Sequence, residues 1–490
     1  MTVHCQHQPA ICGRERELRT LMQQPARNWS SPTTHRLKDL KSAFACALHM
    51  HQPTVPAGPD GALISHLQYM LEHPNEGDNH NAEPFAHCYR RMAELIPELI
   101  REGCSPRIML DYSGNLLWGV TQMQRHDISE ALHFLACDDV MKRHVEWLGT
   151  FWSHAVAPST PIPDLSLQIS AWQHQFADLF GNAALQRVRG FSLPEMHLPN
   201  HPDTLFALVH DLLEAGYRWL LVQEHSVEQM DGTALSEQQR FIPNRLVARS
   251  SRGEQISITA LIKTQGSDTK LVGQMQPCEQ ALGLERQRLG NTEIPSLVSQ
   301  IADGENGGVM MNEFPEAFRQ ANRRLRDGNS ATSALNGSEY LEQLDELGLN
   351  WETLPCIQAV QQHRLWQRVA DAGDCGEDGI AAAIAELRSD GDGFSMEGAS
   401  WTNNLSWVEG YENVLEPMQH LSARFHQQFD QRLSEQPSLS ESRTYRDALL
   451  HLLLLETSCF RYWGQGQWTR YAADIHEKGM QLLNGELLTD

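Results

Sequence analysis

The sequence predicts an α/β fold: a parallel sheet closed into a barrel, followed by a mostly α-helical C-terminal module. Three observations predict it. Short apolar runs alternate with helical patterns over roughly the first 300 residues, which is how βαβ units read. About seven such runs occur, more than a short open sheet needs and enough for a barrel. From about Glu313 onward helical periodicity takes over.

Residues 1–40 are rich in Gln, Arg, Ser, Thr and Pro and carry little periodicity beyond a short helix near 15–22. They are expected to form a mobile N-terminal extension. It contains His7-Gln8-Pro9 with His4, Cys5 and Cys12 nearby, at a spacing that matches no zinc pattern. The first strand is expected over 43–48, a continuous apolar run suited to burial on both faces. Helices follow over 63–71 and 85–101, a strand over 107–110 entering Asp111, and a strand over 148–152 ending at Ser153-His154. A helix over 168–180 is stopped by Gly181, and the next strand runs from Gly190 toward Glu195. Further strands are expected over 218–223, 256–263 and 297–302, the last entering Asp303. The barrel is therefore assigned to 41–325. A helical domain is assigned to 326–490, with helices over 316–326, 340–347, 357–372, 380–388, 407–428 and 445–460 and acidic, glycine-rich loops over 371–379 and 389–398.

Charge narrows the partners. There are 62 acidic residues against 39 basic ones, a formal net charge of -23, so phosphate backbones and anionic membranes are disfavoured. A neutral substrate such as an oligo- or polysaccharide is compatible with this surface. No apolar run approaches the ~18 residues of a membrane span, and residues 1–14 lack the apolar core of a secretory signal. The ten cysteines contain no CxxC pair and read as reduced thiols. The cytoplasm is the expected compartment.

In a barrel, chemistry sits at the C-terminal ends of the strands. His51, His154, Glu195 and Asp303 all fall at such ends. Two carboxylates on either side of a glycosidic bond can cleave it, one attacking the anomeric carbon and the other protonating the leaving oxygen. Glu195 and Asp303 are the candidate pair, with Glu305 placed to orient the acid or contact sugar. Trp118, Trp152, Trp407 and Trp463 are candidate stacking surfaces, each weighed against simple core packing.

These segments resemble glycoside hydrolase family 57, retaining α-glycosidases and α-glucan transferases. His49-Met50-His51-Gln52-Pro53 is similar to its first region, and Phe151 to Pro158, carrying His154, to its second. Gly190-Phe191-Ser192-Leu193-Pro194-Glu195 resembles the third, whose Glu is the nucleophile; Asp303-Gly304-Glu305-Asn306 resembles the fourth, whose Asp is the acid/base. Segments around Trp407 and Trp463 are similar to parts that border the sugar cleft. The resemblance spans about 43–475. It implies an incomplete (β/α)7 TIM-like barrel plus a helical domain, no metal or other cofactor, catalysis by Glu195 and Asp303, and substrate contacts from His49, His51, Gln52, His154, Glu305, Trp407 and Trp463. Two departures bear on substrate: Ser192 replaces the usual Trp, and Gly307-Gly308 replaces a Phe-Gly.

Amylase-like hydrolysis and transglycosylation, by a branching enzyme or a 4-α-glucanotransferase, share this carboxylate pair. A metal-dependent deacetylase would need an Asp and two histidines four apart, whereas His49 and His51 are two apart. A non-catalytic glucan-binding protein on the same fold is the remaining alternative.

Overall fold

The computed structural model describes residues 8–25, 37–264, 268–305, 308–328, 331–391, 393–402 and 404–485. Seven strands that pair in parallel organise it: β1 (Ser42–Met50), β2 (Ile108–Tyr112), β3 (Val145–Trp147), β4 (Gly190–Ser192), β5 (Trp219–Gln223), β6 (Gln255–Lys263) and β7 (Ser296–Asp303). β1 lies between β2 and β7; β3 flanks β2; β6 flanks β7; β5 flanks β6; β4 flanks β5. A parallel bridge between Gly149 and Phe191 links the end of β3 to β4, so every one of the seven has a neighbour on both sides. Four more strands bring the sheet to eleven: Val227–Gln229, Asn244–Arg249, Thr332–Ala334 and Cys356–Ala359.

The β1 sequence explains its burial. Side chains alternate across a strand. Ala43, Ala45 and Ala47 pack in one cluster with Met109, Leu148, Trp219, Leu221, Leu261, Leu297 and Ile301. Phe44, Cys46, Leu48 and Met50 pack in the other, against the surrounding helices. Extending each inner row by two residues reaches His49 on β1, Asp111 on β2, Lys263 on β6 and Asp303 on β7. The inner face is mostly apolar, interrupted by Thr259 and Ser299, and becomes charged at the C-terminal ends.

Several expectations need correction. Residues 8–25 are not a loose extension: the helix Glu15–Met22 buries Leu18 and Met22, and Ile11 is buried ahead of it. The Arg189 guanidinium donates to Met22 O at 2.5 Å and to Gln24 O at 2.9 Å, fixing the end of this segment. His4, Cys5 and His7 lie outside the described residues. The sheet does not end at 325, because Thr332–Ala334 pairs with β1 and Cys356–Ala359 pairs with Asn244–Arg249. The expected helix over 357–372 therefore starts as a strand; left-handed Gln361 turns the chain before the helix Gln362–Ala372 begins. Beyond it the helices Glu412–Glu435, Arg443–Leu455 and Gln467–Leu483 share the main apolar cluster with the sheet-covering helices. Among the described residues no helix is long and apolar enough to cross a membrane.

Candidate active site

Five chain segments meet beyond the C-terminal ends of the strands. β1 delivers His49 and His51, β2 delivers Asp111, and the loop after β3 delivers His154. The turn after β4 delivers Glu195, and β7 delivers Asp303 and Glu305. In the parallel registers His49 lies beside Asp303 on one side and Asp111 on the other.

Backbone geometry at two of these positions is unusual. Glu195 has φ 57° and ψ 13°, and His154 has φ 65°. Left-handed backbone costs a non-glycine residue on the order of 1–3 kcal/mol, and such strain concentrates at functional positions. Both turns are held from outside. Ser458 N donates to His154 O at 3.1 Å, and Trp401 N donates to Glu195 O at 3.2 Å. The Gly304 position shows why the residue between the two acids is glycine. A Cβ there would lie 2.2 Å from Met50 Cε and 3.2 Å from Leu48 Cβ, so a larger residue would have to turn the Met50 thioether aside to keep the turn on β1. Buried Arg91 donates to Gly304 O at 2.9 Å and pins that turn.

The side chains form one connected cluster. The His51 and His154 rings stack at 4.1 Å with a 10° interplanar angle, and His49 lies 4.7 Å from His154. Glu195 Oε1 is 3.9 Å from His154 Nδ1, and the Glu195 side chain is only 12% exposed. Its other oxygen, Oε2, accepts from Trp401 Nε1 at 2.8 Å. His154 Nδ1 lies 2.8 Å from Ser458 Oγ. His51 has Ser113 Oγ at 2.8 Å from Nδ1 and Cys459 Sγ at 3.3 Å from Nε2, and its backbone N–H donates to Glu305 Oε1 at 2.8 Å.

Charge is distributed unevenly. Burial opposes charging His49, but the Asp111 carboxylate at 3.1 Å, with Asp303 and Glu305, outweighs it and raises His49 to about 9. Burial and the His49 charge hold His51 well below the ordinary imidazole range. Burial, His51 and His49 do the same to His154. Burial and then the Asp303 charge push Glu305 up to about 8, so it is protonated at neutral pH. Burial, and next the Glu195 charge, push the Cys459 thiol up to about 12, so it stays an S–H donor toward neutral His51. His49 Nε2, His154 Nε2 and Glu305 Oε2 are buried without a hydrogen-bond partner among the described residues. Asp111 Oδ1, at the same strand ends, is likewise without one, and such a concentration of polar atoms suits a polar ligand.

The expected site residues fall in different places. Glu195, Asp303, His49, His51, His154 and Glu305 belong to the cluster just described. Gln52 is buried beside Tyr89. Trp407, expected to border a cleft, is fully buried and stacks on Tyr462 at 6.0 Å, so its face is not open to a ligand. Trp118 and Trp152 are core residues as well. Trp463 is 58% exposed and offers an open indole face. Ser192 is fully buried, its hydroxyl toward Met196. Asn306 and Gly307 lie outside the described residues. Trp401 was not anticipated; Ser458 and Cys459 lie within 453–463, a stretch expected to border the sugar cleft, but were not singled out. Asp111 was visible as the polar end of a buried strand. Trp401 sits in a stretch whose only signal was a tryptophan beside an acidic, glycine-rich loop. Among the described residues no group of three or more His, Cys, Asp or Glu side chains is arranged to hold a metal ion.

No family model and no curated protein sequence matches the chain. Solved structures do. The fold is similar to a 4-alpha-glucanotransferase from Thermococcus litoralis, with a TM-score of 0.55 and 15% identity over 92% of this chain and 61% of that one. This chain thus spans less than two thirds of that enzyme. It is also similar to a family 57 branching enzyme from Thermococcus kodakaraensis, with a TM-score of 0.55 and 13% identity over 90% of each chain. An alpha-amylase from Thermotoga maritima matches with a TM-score of 0.51 and 10% identity, covering 92% of this chain and 95% of the other. The fold is of the glycoside hydrolase family 57 type.

Proposed function

We propose that this protein is an α-glucan-active enzyme that works by double displacement, with Glu195 as nucleophile and Asp303 as acid/base. The observation that carries the reading is the state of Glu195. It is a nearly buried carboxylate on a strained turn, with one oxygen tied to Trp401 and the other facing His154. Strain of that kind persists only where surrounding contacts hold it, and here they aim a nucleophile. The ring of strand pairings supports reading the sheet as an incomplete seven-stranded barrel whose mouth is this site. The similar structures, named as a glucanotransferase, a branching enzyme and an amylase, supply the substrate class.

In the proposed reaction a Glu195 oxygen attacks the anomeric carbon, and the bond from that carbon to the glycosidic oxygen breaks. Asp303, which takes up a proton from solvent as substrate binds, gives that proton to the oxygen as the first product leaves. Asp303 then removes a proton from water or from a sugar hydroxyl, which displaces Glu195 from the anomeric carbon. The orphaned His49 Nε2, His154 Nε2 and Glu305 Oε2 bind ring hydroxyls. Cationic His49 offsets the negative charge of the acid pair. Trp463 stacks on a sugar farther along the chain.

Amylose incubated with wild type and with Glu195→Gln and Asp303→Asn tests this. Wild type is expected to change the chain-length distribution, with new reducing ends under hydrolysis and none under transfer. Glu195→Gln is expected to lose turnover while still binding maltooligosaccharide. A wild type that binds glucan yet makes no product from amylose, amylopectin or maltooligosaccharides would overturn the enzyme reading.

A further inference from the structure

A second buried polar network lies behind the site, between the helix Ile162–Phe180 and the C-terminal helices. Asp164 and Glu456 are both fully buried. Asp164 Oδ1 pairs with His426 Nε2 at 2.6 Å, and His426 Nδ1 pairs with Asp430 Oδ1 at 2.8 Å. Glu456 Oε2 accepts from Gln168 Nε2 at 2.6 Å. The same amide nitrogen donates to Ser153 Oγ at 2.8 Å, and Gln168 Oε1 accepts from Ser153 N at 3.0 Å. Ser153 directly precedes left-handed His154. One oxygen of each acid remains: Asp164 Oδ2 and Glu456 Oε1. Both are buried and neither has a conventional donor among the described residues. The two carboxyl side chains face each other, and two bare carboxylates, which only accept, could not bond across that gap.

We propose that Asp164 and Glu456 share one proton, and that this acid pair acts through Gln168 to hold the Ser153-His154 turn in register with Glu195. Glu456 is then a positioning residue. It touches no substrate, and its effect on turnover is transmitted by the Gln168 amide. The charge environment supports one proton for the pair. Burial, and next the Asp164 charge, raise Glu456 well above the ordinary carboxyl range. His426 faces Asp164 from the helix Glu412–Glu435, with Asp430 on its far side. Buried Arg461 approaches the Glu456 backbone, its Nη2 3.4 Å from Glu456 O. Burial opposes charging His426, but Asp164 and Asp430 outweigh it and shift it upward, so His426 is already engaged by two acids; a negative charge at Glu456 would rely on Arg461. As pH rises, loss of the shared proton places two negative charges against each other and loosens the turn.

The catalytic arm of the test rests on the α-glucan reading; the other two arms do not. Glu456→Gln keeps an acceptor for Gln168 and supplies a permanent donor toward Asp164, so it mimics the protonated acid. Glu456→Ala removes both. In the infrared difference spectrum of wild type minus Glu456→Gln at neutral pH, the carbonyl band of one buried carboxylic acid is expected, over and above that of protonated Glu305 common to both. Amide hydrogen exchange at residues 152–154 is expected to be faster in Glu456→Ala and near wild type in Glu456→Gln. On amylose, Glu456→Ala is expected to lose kcat by roughly tenfold to 100-fold with KM little changed, as small misplacements of catalytic groups do. Glu456→Gln should restore most of kcat and lose the alkaline fall attributable to the pair. The proposal is overturned if that difference spectrum shows no lost acid band, or if Glu456→Gln exchanges as fast as Glu456→Ala. It is also overturned if kcat in Glu456→Ala equals wild type. An inactive wild type that passes the infrared and exchange arms would sink the glucan reading and leave the acid pair standing.

Discussion

Gly190 opens the strand that leads to Glu195, and its missing side chain can be given a cost. A Cβ there would lie 2.2 Å from Trp219 Cζ2, 2.3 Å from Trp219 Cε2 and 2.9 Å from Leu148 Cδ2. Carbon atoms rest at about 3.5–4.0 Å, so the indole must move by more than ~1 Å. It has little room to do so. Trp219 is buried, its Nε1 donates to Ser338 Oγ at 2.9 Å, and a Cβ on Gly337 would lie 2.3 Å from the same Cζ2. The indole occupies a slot between two glycines. Overpacking a tight core costs about 1–3 kcal/mol, and losing the Ser338 bond adds about 1 kcal/mol. Gly190→Ala is therefore expected to destabilise by about 2–4 kcal/mol in urea unfolding. Trp219→Phe removes the colliding atoms, so the double variant should be more stable than the sum of the single effects predicts by about 1–3 kcal/mol. Additivity within about 0.5 kcal/mol would show that Trp219 is not what Gly190 makes room for.

Trp401→Phe deletes the N–H that holds Glu195 Oε2. Loss of a hydrogen bond to a charged group, worth about 1.5–3 kcal/mol, should slow amylose conversion by roughly tenfold to 100-fold; an unchanged initial rate would detach Trp401 from the nucleophile. Glu305 is protonated below about 8, so turnover that needs its proton should fall as pH rises through that value. Glu305→Gln should lose the part of the alkaline limb centred near 8 while keeping any fall set by Glu456, and an unchanged profile would assign the whole limb elsewhere. The linkage has the same sign for stability. A carboxyl whose folded pKa is raised stabilises fully below its ordinary range, near 4.5, and loses that contribution as pH rises through about 8. Wild type should therefore weaken more than Glu305→Gln over that window in urea unfolding. Leu18→Ala, in the N-terminal helix, should cost about 2–5 kcal/mol as a core truncation; a change near zero would return that helix to the surface.

The parts legible in the sequence are those set by local periodicity. Alternation along 43–48, with alanines on one face, announces a strand buried on both sides, and its polar end marks His49. Asp303 and Glu195 are visible because each follows such a run. Other features depend on distant partners. His154 was expected at a strand end, but β3 stops at Trp147, because beyond it only Gly149 pairs with β4. Its left-handed backbone is imposed by Ser458, roughly 300 residues away. Cys356–Ala359 reads as helix because four residues cannot separate the two periodicities, and pairing with Asn244–Arg249 decides the outcome. The N-terminal helix was visible, but its burial is set by Arg189 and by the helices it meets.

Three groups of the site that precede residue 200 are each held by a residue beyond 400. His51 meets Cys459, His154 meets Ser458, and Glu195 meets Trp401. A nascent chain emerging from the ribosome can fold strands early, since domains tend to fold from the N-terminal side during synthesis. It cannot assemble these clasps until residue 459 has emerged. Fragments cut before residue 400 should therefore lack the contacts that hold His51, His154 and Glu195, even if they keep both carboxylates.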